Sequence, residues 1–212
     1  MTAQLLTRHS RSRRIAPHQT LLGETSLRLA RAHEFCGNAR RTLAMVAASA
    51  TTGPVFWITP GWMSDRLNPQ GMLRFADPAR FTFLNPRRAE DLLWCMEEIL
   101  RSGAIPLVVA DLPAPPALTP VRRLHLAAET GAAEGKFHPL GLLLTPGDGG
   151  AQGVESRWHM TGAHEADSTG WILSRTRART DPVKTWSVKP KGASLHLTEH
   201  HQKVSEKPTT SS

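Results

Sequence analysis

The sequence predicts an α/β domain of three layers, with a mostly parallel central sheet between helices and an antiparallel extension at its C-terminal side. Three observations carry that expectation. Short apolar runs alternate with segments of helical period, the order that a parallel sheet with crossover helices requires. Residues 107–110, Leu-Val-Val-Ala, form a continuous apolar run closed by Asp111, as expected of a strand buried on both faces. In 156–160, 170–178 and 185–188 polar and apolar residues alternate instead, which suits antiparallel strands at a sheet edge.

The first unit opens with Ala32-His33-Glu34-Phe35-Cys36 as a strand and turns at Gly37. It continues as a helix over 40–50, where Leu43, Val46 and Ala47 recur at helical spacing. Gly53-Pro54 ends it, and Val55-Phe56-Trp57-Ile58 is the second strand. A section rich in Pro, Gly and Asn over 60–78 leads to a third strand over 80–84. Pro86 then opens a helix over 87–102, with Leu92, Leu93, Met96, Ile99 and Leu100 on one face and Gly103 as its stop. The strand 107–110 belongs mid-sheet. Thr119 as N-cap and Pro120 as first helical residue begin the next helix, whose Val121, Leu124, Ala127 and Ala128 face inward until Gly131. Residues 140–144 supply another buried strand. The glycine-rich loop 146–153 is expected to remain unordered, because glycine loses the most backbone freedom on folding.

A chain of 212 residues, 40% hydrophobic, can fill one core. The expected organisation is a basic flexible arm over 1–28, one domain over 29–190 and a flexible tail over 191–212. The net charge of +8 favours an acidic partner, nucleic acid ahead of a membrane surface. Part of that charge lies at the ends, in Arg8, Arg11, Arg13, Arg14, Lys203 and Lys207 among others, where tails are commonly just solvated. Cys36 and Cys95 sit in apolar runs and read as small buried hydrophobes, which points to a reducing cytoplasm. No apolar segment nears the ~20 residues that span a bilayer, and no secretory pattern follows the basic N-terminus.

Chemistry is conspicuous by what is missing. A strand running through glycine into a helix N-terminus is the geometry that binds phosphate, and Gly37-Asn38-Ala39-Arg40-Arg41-Thr42 occupies it. The working pattern G-x-x-x-x-G-K-[ST] needs a second Gly, a Lys for the β- and γ-phosphates and a hydroxyl for Mg²⁺; here Thr42, Leu43 and Ala44 stand in those places. Arg40 and Arg41 read as a solvated first turn. Asp111 ends its strand as the Mg²⁺-positioning acid of such NTPases does, but without a metal partner it reads as a capping or loop-anchoring group. No catalytic residue, cofactor or metal is expected: His196, His200 and His201 lack Cys partners and a packed surround, and no nucleophile elbow or HExxH occurs. Arg175, Arg177 and Arg179 with Lys184 form a candidate DNA-binding strip, since alternation puts the three arginines on one strand face near aromatics. The bland alternative is a charged edge that blocks strand pairing. Trp171 and Trp186 are candidate partner-binding residues on edge strands, or else core.

Residues 90–104 (Glu-Asp-Leu-Leu-Trp-Cys-Met-Glu-Glu-Ile-Leu-Arg-Ser-Gly-Ala), then Pro106-Leu107-Val108-Val109-Ala110-Asp111-Leu112 and Thr119-Pro120-Val121-Arg122-Arg123-Leu124-His125-Leu126-Ala127-Ala128-Glu129, resemble the ImuA family, accessory proteins of damage-induced mutagenesis. The resemblance spans about 31–188. It takes in His33-Glu34-Phe35, Gly53-Pro54-Val55-Phe56-Trp57 and Glu155-Ser156-Arg157-Trp158. It implies a RecA-like fold with a degenerate phosphate loop and a degenerate Walker B acid at Asp111. It also implies work beside an ImuB-type inactive Y-family polymerase homologue and an error-prone polymerase in translesion synthesis, with single-stranded DNA or RecA as further partners. By the same likeness the loop 146–153 sits where RecA carries a DNA-contacting loop, and the C-terminal part carries the partner contact, although the terminal region here is short and unlike that of the relatives. The expectation is therefore a non-catalytic adaptor of the SOS response. Its rivals are a DNA-repair ATPase built on Asp111 with an unorthodox phosphate site, and a stand-alone DNA-binding module.

Overall fold

The computed structural model describes residues 17–192 and 194–199. A hairpin of β1 (His18–Leu22) and β2 (Thr25–Arg28) leads into β3 (Arg31–Cys36), α1 (Arg40–Ser49), β4 (Val55–Ile58), the short α2 (Pro69–Met72) and β5 (Phe81–Leu84). There follow α3 (Ala89–Ser102), β6 (Leu107–Asp111), α4 (Leu118–Glu134), β7 (Leu140–Leu144), β8 (Ser156–Gly162), β9 (Trp171–Ala178), β10 (Lys184–Lys191) and β11 (Ser194–Glu199).

Strands that are apolar on both faces demand a covering layer on each side. In β6, Leu107 and Val109 join a core with α1, while Val108 and Ala110 face the opposite core beneath α3 and α4. The nine-stranded sheet runs β11-β10-β9-β8-β3-β7-β6-β4-β5. From β5 to β8 all pairings are parallel, and β8, β9, β10 and β11 pair antiparallel in turn. The expected three-layer α/β architecture is thus present, with β6 in the sheet interior.

Several local expectations need correction. Residues 17–28, read as part of a flexible arm, form the β1–β2 hairpin, which buries Leu21 and Leu27 against α1 and the extension. In the stretch read as tail, β11 pairs with β10 from Ser194 to Glu199. The antiparallel extension itself stands as expected from β8 onward, with β8 pairing parallel to β3 on its inner side and antiparallel to β9 on its outer side. The long helices also shift: α3 begins at Ala89, and α4 begins at Leu118 with Ala117 as its cap, putting Pro120 in the first turn, where its missing N–H costs nothing. Helix α4 runs on past Gly131, which is there for a different reason. A Cβ at that position would collide with the Leu100 carbonyl oxygen, so glycine lets the end of α3 lie directly on α4. The end of α1, which has no basic residue in its last turn, is held by Arg80, whose guanidinium donates to the carbonyls of Ala48, Thr51 and Gly53.

Candidate functional site

Ligands of open α/β sheets bind beyond the C-terminal ends of the parallel strands. Here the loops after β3, β6 and β7 meet there, and two buried carboxylates organise them. Asp111, at the end of β6, receives a hydrogen bond of 2.5 Å from Arg41 Nε, and Arg40 Nε lies 3.8 Å from its other oxygen. Arg41 also reaches Met63 Sδ and lies 3.7 Å from Asp65. The two arginines are therefore not a solvated first turn: they supply the positive charge that Asp111 needs in the interior. Asp111 does anchor a loop, through Arg41, rather than cap a helix.

The strand-to-helix turn is closed by its own backbone. Gly37 N–H donates to the Gly147 carbonyl at 2.8 Å and Ala39 N–H to the Met160 carbonyl at 3.0 Å. Gly37 has φ of +87° and sits against Met160 O, where any side chain would collide. Asn38 Oδ1 accepts from Gly162 N–H. Leu43 and Ala44, at the Lys and hydroxyl positions of a working phosphate loop, point into the core, as does the helix face that carries them. Thr42 is half-buried.

The second carboxylate, Glu34 in β3, was singled out only as part of the family likeness. It is fully buried and accepts from Thr145 Oγ1 (2.7 Å), Gly150 N–H (2.8 Å), Ala151 N–H (2.9 Å) and Arg157 Nε (2.5 Å). The glycine-rich loop is accordingly tied down, against expectation. Its glycines adopt positive φ at 147, 149, 150 and 153 and bring amide groups onto a charge.

A polar chain crosses the other face. Trp158 Nε1–H donates to Ser156 Oγ, the Ser156 hydroxyl donates to His33 Nδ1, and His33 Nε2–H donates to the Arg28 carbonyl. Burial pushes the His33 pKa down to about 4, so the ring is neutral. Burial likewise pushes the Cys36 thiol up to about 12, which fits its expected role as a small buried hydrophobe; Cys95 is half-buried.

The candidate DNA strip does not assemble. The β8–β9 register pairs Arg157 with Arg177 and Trp158 with Arg175, leaving Thr176 as a bulge, so Arg175 and Arg177 face opposite sides of the sheet. Arg175 lies against the stacked Trp158 and Trp186 rings, its guanidinium 5.4 and 5.5 Å from their centroids. Arg179 pairs with Glu155, and Lys184 with Glu24 and Glu199. Arg177 alone of the four is exposed without such a partner among the described residues. Trp171 and Trp186 are core, not exposed anchors, and their strands are interior because β11 covers β10. His200 and His201 lie outside the described residues; among the described ones no cluster of His, Cys, Asp or Glu has metal-binding geometry. No helix among the described residues is long and apolar enough to cross a membrane. No family model and no curated protein matches the chain.

Proposed function

We propose that this chain is a non-catalytic RecA-like adaptor in damage-induced mutagenesis, acting in the cytoplasm beside an ImuB-type polymerase homologue and an error-prone polymerase. The observation that carries the non-catalytic part is the occupied phosphate-loop position. Arg41 holds Asp111, the Gly37 and Ala39 amides are used by carbonyls, and Leu43 and Ala44 are core residues. A transferring phosphoryl group needs cations and free donors at that place. The cellular role is carried by the family likeness of residues 31–188. Two measurements test the two halves. Purified protein should release no phosphate from ATP above background, with or without single-stranded DNA; turnover that disappears on Asp111→Ala defeats the adaptor reading in favour of an ATPase. Co-purification from DNA-damaged cells should recover an ImuB-type partner, and recovery of none rejects the proposed pathway.

A further inference from the structure

We propose that the loops following β4 and β5 form a contact surface for single-stranded nucleic acid, with Trp62 as a base-stacking platform and Arg66, Arg87 and Arg88 as phosphate contacts. The surface stands on its own residues and does not depend on the adaptor role.

The two loops are one unit. Thr59 N–H donates to the Leu84 carbonyl at 2.9 Å, Gly61 N–H to the Pro86 carbonyl at 2.8 Å, and Asn85 Nδ2 to the Thr59 carbonyl. These bonds bring Gly61, the residue before Trp62 on the turn closed by Met63 N–H and the Pro60 carbonyl, alongside Pro86, which the two arginines follow. The turn is fastened to α1 through Arg41, which reaches Met63 and Asp65. Trp62 is 54% exposed on this fixed base, and Phe83, 45% exposed on the edge strand β5, adds a second ring along the same margin.

Charge selects the occupant. Arg66, Arg87 and Arg88 are exposed and have no acidic partner among the described residues; Arg66 donates only to the Met63 and Asp65 carbonyls. Of the nearby acids, Asp65 is exposed and lies 3.7 Å from Arg41, while Glu90 and Asp91 line a groove between α3 and α4 with Trp94 and Arg123. A rigid exposed indole among unpaired guanidiniums is the combination that binds a flexible polyanion carrying flat bases. A chain of net charge +8 favours such a ligand at long range.

The test is fluorescence anisotropy of the full chain with a labelled 20-nucleotide thymidine strand over a salt series. Three phosphate contacts give an affinity that falls about 20-fold between 50 and 200 mM salt. Trp62→Ala should weaken binding about tenfold and Trp62→Phe should restore most of it. Arg87→Ala with Arg88→Ala should weaken binding and flatten the salt slope. Arg177→Ala, on the other half of the sheet, should change nothing. Unaltered melting temperatures establish that these surface variants fold. Absence of binding at 50 mM salt overturns the proposal, as does binding that survives the Trp62 and Arg87/Arg88 changes. Competition by polyglutamate of equal charge as effective as that by the DNA strand makes the surface an acidic-protein site and overturns it equally.

Discussion

Glu34 and Asp111 are both buried acids on the parallel half of the sheet, yet their surroundings differ in completeness. Glu34 is saturated by four donors drawn from the loop after β7, beginning at Thr145, and from β8. Asp111 has one good hydrogen bond, a second guanidinium too distant to donate, and an oxygen, Oδ1, with no hydrogen-bond partner among the described residues. The difference separates two uses of a buried charge. At Glu34 it gathers backbone amides directly; at Asp111 it acts through one side chain, Arg41, which ties the 63–65 turn to the end of β6.

Glu34→Ala should therefore be the most damaging change, about 3–5 kcal/mol by urea unfolding, because it strands Arg157 and three further donors in the interior. Hydrogen exchange at Gly150 and Ala151 should accelerate with it; a cost no larger than that of Asp111→Ala would erase the contrast between the two sites.

Acid sharpens the comparison through His33, a buried titratable group held neutral rather than paired. Its folded pKa of about 4 lies below the ordinary 6.5, so its contribution is complete above pH 6.5 and lost as the pH falls through 4. The loss reaches about 3 kcal/mol, and the half-buried His125, also lowered by burial, acts in the same direction. Denaturation curves between pH 7 and 4 should show this decline, and His33→Gln should flatten it. A decline of the same size in the variant would assign the acid sensitivity to the carboxylates instead.

Asp111→Ala should cost less than the Glu34 change, about 1–3 kcal/mol, since Arg41 is partly exposed and keeps Asp65. Smallest is the paired replacement Asp111→Leu with Arg41→Met. Exchange of a buried ion pair for apolar groups of similar size should leave stability within about 1 kcal/mol of the parent, less than the loss in Asp111→Ala alone. A double variant worse than the single would show that Asp111 is organising structure as Glu34 does.

The layers were legible because runs such as 107–110 and 140–144 are continuous, apolar, too short for a helix and flanked by proline, which marks buried strands, and α3 carries its apolar face at clear helical spacing. That Leu43 and Ala44 stand where a working phosphate loop needs Lys and a hydroxyl was legible too, since the motif fixes residue types at set positions. What Arg40 and Arg41 do was not, because their partner lies about 70 residues away. Glu34 escaped for the same reason: its donors follow it by 111 to 123 residues. The basic strip was misjudged because alternation assumes an unbroken strand, and the bulge at Thr176 leaves no mark in composition. Trp171 and Trp186 were misplaced on an edge because strand order, not local pattern, decides what is covered. The hairpin 18–28 passed for a flexible arm because Leu21 and Leu27 are its only fully buried apolar side chains.

The central position of β3 has a consequence for how the molecule is made. It is the first strand of the large sheet to leave the ribosome, but its neighbours are β7 and β8, with Arg31 opposite Leu140 and Glu34 opposite Arg157. Strands β4, β5 and β6 can associate early with one another, while β3 must wait for more than a hundred further residues before either of its edges is filled. During that interval it has two unpaired margins, and His33 and Glu34 lack the partners that later bury them, so closure around β3 is the late and slow event of folding.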